Sequence, residues 1–195
     1  MKTTILLAFA ATLSLINIAR ADDPVVTRLS PEAIKNMQNV LPKPSFNRDV
    51  LLVDGVDLSL TPIKVEVVSR TPMMRFRIYS TVTNLGKTTS TAGRATTGPN
   101  VEVRIVPGGT GGRGGTATPF AVRSLRSWDS QIVGVEGEWN PREPKVLLAQ
   151  MYDTTTFRLI RGDTSVRSGS AYTDAKNTNN TVTLSGDELV RLLGL

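Results

Sequence analysis

The sequence predicts an all-β protein, an antiparallel β-sandwich with one short helix before it and one after it. Three observations carry that prediction. From Asp57 onward, apolar residues alternate with polar ones at a period of two. The alternating runs are short and are separated by clusters of Pro, Gly, Asn and Thr. No run of helical period stands between them, so a βαβ arrangement is not expected. At 195 residues the chain fits one domain with appendages.

The first element is a leader. Lys2 precedes 17 uncharged residues, Thr3 to Ala19, whose apolar core runs from Ile5 to Ala11 and on through Leu13, Leu15, Ile16 and Ile18. Ala19-Arg20-Ala21 sets small residues around a larger one, and Asp22-Asp23-Pro24 follows. Charge, apolar stretch and small-residue site in that order form a secretory signal peptide, residues 1–21. An uncleaved anchor is the alternative, since 17 uncharged residues approach a minimal span. Ser14, Asn17 and several Ala and Thr residues dilute the stretch and favour cleavage. Losing Lys2 and Arg20 leaves 21 of 23 basic residues against 17 acidic ones, a net charge of +4 in place of +6. The expected location is periplasmic or extracellular, with no transmembrane segment after cleavage.

Residues 22–56 form a lead-in with one short helix. Ser30-Pro31-Glu32 places an N-cap before Pro at the first helical position and an acid in the first turn. Ile34, Met37 and Val40 follow at helical spacing until Pro42 and Pro44 stop the pattern. Such a helix is marginal alone and must dock on something.

Residues 57–185 carry the strands. Ile63, Val65 and Val67 alternate with Lys64 and Glu66. Met74, Phe76, Ile78 and Val82 alternate with Arg75, Arg77, Tyr79 and Thr81, and Val101, Val103 and Ile105 with Glu102 and Arg104. Later runs of strand length are 120–122, 131–135, 146–152, 156–160 and 181–184. Residues 186–195 close the chain as a short amphipathic helix, with Asp187 and Glu188 at its favourable end and Leu189, Val190, Leu192 and Leu193 behind them.

Composition removes whole classes of chemistry. The chain has no His, and Cys is also absent. Disulfides, thiol nucleophiles, thiolate metal sites and the Ser–His–Asp triad are therefore excluded. What remains is carboxylate or Lys chemistry, oxygen-ligand metals, or binding alone.

Two stretches resemble the CARDB family of Ig-like or fibronectin-III-like domains, named for cell adhesion in bacteria. Val82-Thr83-Asn84-Leu85-Gly86 is similar to the family's Val-x-Asn-x-Gly turn, where Gly86 would supply a positive φ and Asn84 would bond its own backbone two residues on. Asn177 to Leu184 resembles the Asn-rich turn that leads into the last strand, and Thr156 to Asp163 resembles the penultimate one. The resemblance spans roughly residues 57–185, with a longer turn at 87–99 and an insertion-like stretch at 107–137. It implies an Ig-like sandwich of the kind exported bacterial proteins use as stalks, adhesion modules or ligand-binding accessories.

Candidate contacts are Arg75, Arg77, Arg104 and Arg158, which point outward if their apolar neighbours point inward. On adjacent strands they would make one basic stripe beside Tyr79, suited to an anionic ligand; otherwise they are a solubilising face interleaved with Glu66 and Glu102. Arg161-Gly162-Asp163 is the integrin-type adhesion tripeptide, although the family-like strand end already accounts for Asp163. Arg113 sits in the glycine-rich turn 107–115, whose G-x-G-x-x-G spacing has no following helix to give it a phosphate-binding role. Glu136 and Glu138 would share one face of a strand beside Trp139, the pairing a glycosidase needs, but Gly137 should break that strand and Trp139 reads equally as a turn anchor. Asp153, Asp163 and Asp174 match no calcium-loop spacing. No catalytic residue, metal ligand or cofactor is assigned.

The expected function is an exported, non-enzymatic module for binding or adhesion through loops at one end of the sandwich. Its partner would be a protein or glycan of the envelope or extracellular surface; nucleic acid is not expected. The alternative is an envelope assembly protein that uses a sheet edge or the C-terminal segment. A carboxylate-based glycan hydrolase ranks third.

Overall fold

The structure, a computed structural model, describes residues 24, 26–40, 52–94, 98–109, 115–161 and 170–195. The leader 1–21 lies outside the described residues, as do Arg113, Gly162 and Asp163. The chain starts with β1 (Val26–Arg28), α1 (Pro31–Val40), β2 (Leu58–Leu60), β3 (Lys64–Ser69) and β4 (Met74–Asn84). It continues with β5 (Pro99–Val106), β6 (Thr116–Ala121), β7 (Ser130–Trp139) and α2 (Lys145–Met151). Then come β8 (Thr154–Arg161), β9 (Ser170–Ala171), a 3-10 turn (Asn177–Asn179), β10 (Thr181–Ser185) and α3 (Gly186–Leu192).

The strands form two antiparallel sheets, as the period-two pattern requires. One runs β1-β7-β4-β2, with β3 also paired to β4; the other runs β10-β8-β5-β6, with β9 also paired to β8. The apolar half of each alternation faces inward. Phe76, Ile78 and Val82 of β4 and Val133 and Val135 of β7 meet Val101, Val103 and Ile105 of β5 and Phe157 and Leu159 of β8. Few residues are aromatic, yet Phe76, Phe157 and Tyr152 are among the largest fully buried side chains. Each large apolar side chain so buried stabilises by about 1.5–3 kcal/mol.

Gly137 does not break its strand. It is the inward position of β7 opposite Phe76, where an added Cβ would stand 2.7 Å from Phe76 Cζ and would collide with the Tyr152 hydroxyl. The missing side chain is the space those two rings fill.

α1 forms where its signals place it. Ser30 Oγ accepts a hydrogen bond from Ala33 N at 3.1 Å. The helix docks on the outer face of the first sheet, where Met37 and Leu29 pack with Tyr79 and Ile132.

The run 146–152, expected as a strand, is instead helix α2. A short apolar run of strand length has no periodicity that separates the two states. Burial decides between them: Leu148 and Tyr152 are fully buried, while Val146 and Gln150, which a strand would place on the same face, are exposed. The Tyr152 ring meets Phe76 edge-on, with centroids 5.5 Å apart. α3 packs beside α2. Ser185 Oγ caps it by accepting from Glu188 N at 3.2 Å, and Leu189 and Leu193 enter the core. Arg70, from the β3–β4 turn, donates to Leu193 O at 3.1 Å and ties that turn to the same end.

This helix end also carries exposed apolar surface. Among the described residues the exposed large hydrophobics are Val68, Met73, Val146, Leu147 and Leu192. All five lie at the end of β3, on the β3–β4 turn, or on α2 or α3. No helix of the described residues is long and apolar enough to cross a membrane.

Candidate functional site

The four candidate arginines do not share a face. Arg75 and Arg77 belong to β4 of the first sheet, Arg104 and Arg158 to β5 and β8 of the second, and the core lies between. The condition for one basic stripe, adjacent strands, is not met. Each local group is also balanced by acids. Arg75 reaches Glu136 at 2.9 Å and Glu138 at 3.5 Å. Arg77 reaches Glu136 at 3.0 Å and Glu66 at 3.6 Å. Arg158 pairs with Glu102 at 3.2 Å, while Arg104 stands opposite Thr156. The exposed Arg75–Glu138 pair is worth about 0–1 kcal/mol; the other pairs are more buried, and together they cancel the positive potential.

The same ladder answers the paired-carboxylate question. Glu136 and Glu138 do share the outer face of β7, but both are engaged by Arg75. Trp139 points the other way, 3% exposed in the core, and offers no sugar platform beside them. Arg161 ends β8, exposed.

The opposite end, away from the helices, is built from loops, and Asn84 organises it. Fully buried, it closes β4 and uses every polar atom of its side chain. Its Nδ2 donates to Thr88 O and to Leu125 O, both at 2.9 Å. Its Oδ1 accepts from Gly86 N at 2.9 Å and Asp57 N at 3.4 Å. The bond two residues on is the one expected of Asn84. The positive φ expected of Gly86 is not found: the left-handed glycines of the described residues are 55, 98, 109, 115 and 194. Gly86 serves close approach instead, because an added Cβ would lie 2.6 Å from Asp57 N and would strike Gly55 O.

Serines extend the network between two loops, β4–β5 and β6–β7. Leu125 N donates to Ser90 Oγ at 3.0 Å, Ser124 Oγ to Ser90 O at 2.7 Å, and Ser127 Oγ to Gly86 O at 2.6 Å. Between them Trp128 adopts φ 67°, a left-handed conformation costly for a bulky residue. It is held there by Trp128 N donating to Asn84 O at 2.8 Å and Asn84 N donating to Asp129 O at 3.1 Å.

The C-terminal loop joins the same platform through acids. Leu58 N donates to Asp174 Oδ2 at 2.8 Å, and Asn179 Nδ2 donates to Asp57 Oδ1 at 3.0 Å. Burial, with Asp57 nearby, pushes the Asp174 carboxyl above its ordinary value, against the lowering effect of its hydrogen bonds from Leu58, Asn180 and Lys176. Asp57, Asn84 and Trp128 were not singled out as site residues from sequence, and Asp174 was noted without a role. The two motifs that carried the family resemblance were the available signal: Asn84 and Asn179 both meet Asp57.

No protein-family model matches the chain, and no curated protein matches it. Among solved structures it is similar to the CARDB domain of the PF1109 protein from Pyrococcus furiosus, described as in complex with di-metal ions. The identity is 15% and the TM-score 0.37, over 72% of this chain and 95% of that one.

Proposed function

We propose that the chain is an exported, non-enzymatic Ig-like module that binds a protein or glycan of the cell envelope or extracellular surface through the loop end of its sandwich. One observation carries this reading: the loops at that end are locked to one another by buried side-chain hydrogen bonds centred on Asn84. Loops fixed before a ligand arrives lose little entropy on binding, which favours recognition. Trp128, held in a strained conformation on that platform, is the aromatic placed to make contact.

A second reading, assembly with a protein partner through the C-terminal segment, draws on the exposed apolar residues of α2 and α3. One experiment separates the two. The purified chain is immobilised, exposed to envelope extract, and compared with Trp128→Ala and with Leu147→Asp/Leu192→Asp. Loss of a specific captured component in Trp128→Ala alone is the expected result. Loss in the double variant alone overturns it in favour of assembly. Point changes are used because deleting residues 186–195 removes Leu189 and Leu193 from the core and would unfold the protein.

A further inference from the structure

The edges of the two sheets are not equally protected. A strand edge exposes a row of unpaired N–H and C=O groups, and proteins blunt it with short strands, charges, Pro or bulges. Among the described residues, the other edge strands each carry such a device. β1 and β2 have three residues each, and β9 has two. β3 carries exposed Lys64 and Glu66 and shifts register between Val67 and Ser69, and β6 carries Pro119. β10 ends the second sheet with none of these: Thr181–Ser185 is uncharged, free of Pro, and regular in register against β8.

The ladder shows which groups are left over. Leu159 N donates to Asn180 O at 2.9 Å, and Gly186 N donates to Asp153 O at 3.0 Å. Antiparallel bonding alternates, so Val182 and Leu184 face β8 as well, and the N–H groups of Thr181, Thr183 and Ser185 point away from the sheet. Among the described residues no backbone group takes up those bonds. The sandwich is also open on this flank. On the opposite flank Phe120 of β6 and Arg28 of β1 bridge the two sheets, the guanidinium 5.2 Å from the ring centre. Beside β10 lies a groove of about 290 Å³, lined by Pro62, Ile63, Val182, Thr183, Leu184 and Glu188.

Charge is polarised along the same edge. Lys176 and Arg158 stand at its Thr181 end, and Asp153, Asp187 and Glu188 at its Ser185 end. Glu102 pairs with Arg158 and Arg191 with Glu188, while Asp174 is turned inward onto Leu58 N. Exposed Lys176 is thus left at one end, and exposed Asp153 and Asp187 at the other. An antiparallel partner with the same edge sets the basic end beside the acidic end; a parallel one sets like charges together.

We propose that β10 pairs with β10 of a second copy of this chain, antiparallel about a two-fold axis at Thr183. Thr183 N donates to Thr183 O of the second copy, and Ser185 N donates to its Thr181 O, with the reciprocal bonds returned. Val182 of each copy lies opposite Leu184 of the other, in the non-hydrogen-bonded position where side chains come closest, and covers the groove over Pro62 and Ile63. Each copy consumes the other's free edge, so the pair is closed. The two loop ends then face in opposite directions.

The purified chain is followed by sedimentation velocity from about 1 μM to about 1 mM. A reversible monomer–dimer equilibrium is expected. Thr183 is exposed on the outer face of the sheet, so Thr183→Lys and Thr183→Glu fold. Each sets like charges across the axis and weakens the dimer by at least about tenfold. An equimolar mixture of the two variants restores it, because only a residue that faces its own copy is rescued by the opposite charge. A monomer at every concentration overturns the proposal, and hydrogen exchange then names the occupant. Protection of the Thr183 amide in that monomer assigns the edge to a segment of the same chain, and rapid exchange leaves it to an extended peptide of another protein. A dimer indifferent to Thr183→Lys, unrescued by mixing, or lost in Leu147→Asp/Leu192→Asp instead also overturns it. Pairing through β10 is independent of what the loop end recognises, so either reading fails without the other.

Discussion

The two ends of the sandwich are closed by opposite means. At the helix end Leu148, Tyr152, Leu189 and Leu193 seal the core with apolar side chains. At the loop end Asn84, Ser90 and Asp57, all buried, hold the chain by hydrogen bonds. Apolar closure is non-directional and tolerates small shifts. Polar closure fixes each loop within hydrogen-bonding distance of the next and fails when one member is lost. The helix end therefore contributes apolar burial, and the loop end contributes defined shape that is costly to disrupt.

Asn84→Ala tests that contrast hardest. It leaves Thr88 O, Leu125 O, Gly86 N and Asp57 N without their partner, and at about 1–3 kcal/mol per buried orphan the loss in urea unfolding should reach about 4 kcal/mol. A loss below about 1 kcal/mol would mean water replaces the side chain and the platform is not rigid. Leu189→Ala comes next, costing about 3 kcal/mol in the same measurement. It should leave capture by the loop end unchanged; lost capture would show the two ends are coupled.

Smaller effects sharpen the comparison. The Tyr152 hydroxyl is buried at the helix end without a hydrogen-bond partner, and burial pushes its phenol well above the ordinary value. Tyr152→Phe should therefore stabilise by about 1 kcal/mol; a loss would reveal an unrecognised donor or acceptor. The smallest effect concerns pH. The folded pKa of Asp174 is raised above its ordinary 3.8, so the folded state holds that proton more tightly than the unfolded state does. Its contribution is fully present below pH 3.8 and is lost as pH rises through the folded value. Asp174→Asn should flatten the decline in Tm over that window. A decline of unchanged slope would place its origin elsewhere.

Local features were legible in the sequence and non-local ones were not. The Ser30 cap, the inward alternation of β4 and β5, and the Asn84 turn each depend on residues a few positions apart. The placement of the arginines depended on which strands neighbour which, and the outward pattern alone does not say. α2 was misread because Leu148 and Tyr152 reveal a helix only when Phe76 and Gly137 are across from them. The loop platform was hidden for the same reason. Asp57 meets Asn179 across 122 residues, and no spacing rule reaches that far.

The position of α3 in the core has a consequence for the order of folding. Leu184, Leu189 and Leu193, from the last twelve residues, complete the apolar cluster, and β10 is the strand that covers one edge of β8. Until those residues have left the ribosome, the second sheet lacks a strand and the core lacks its floor. A nascent chain cannot close early from its N-terminal half, because contacts this distant in sequence form late.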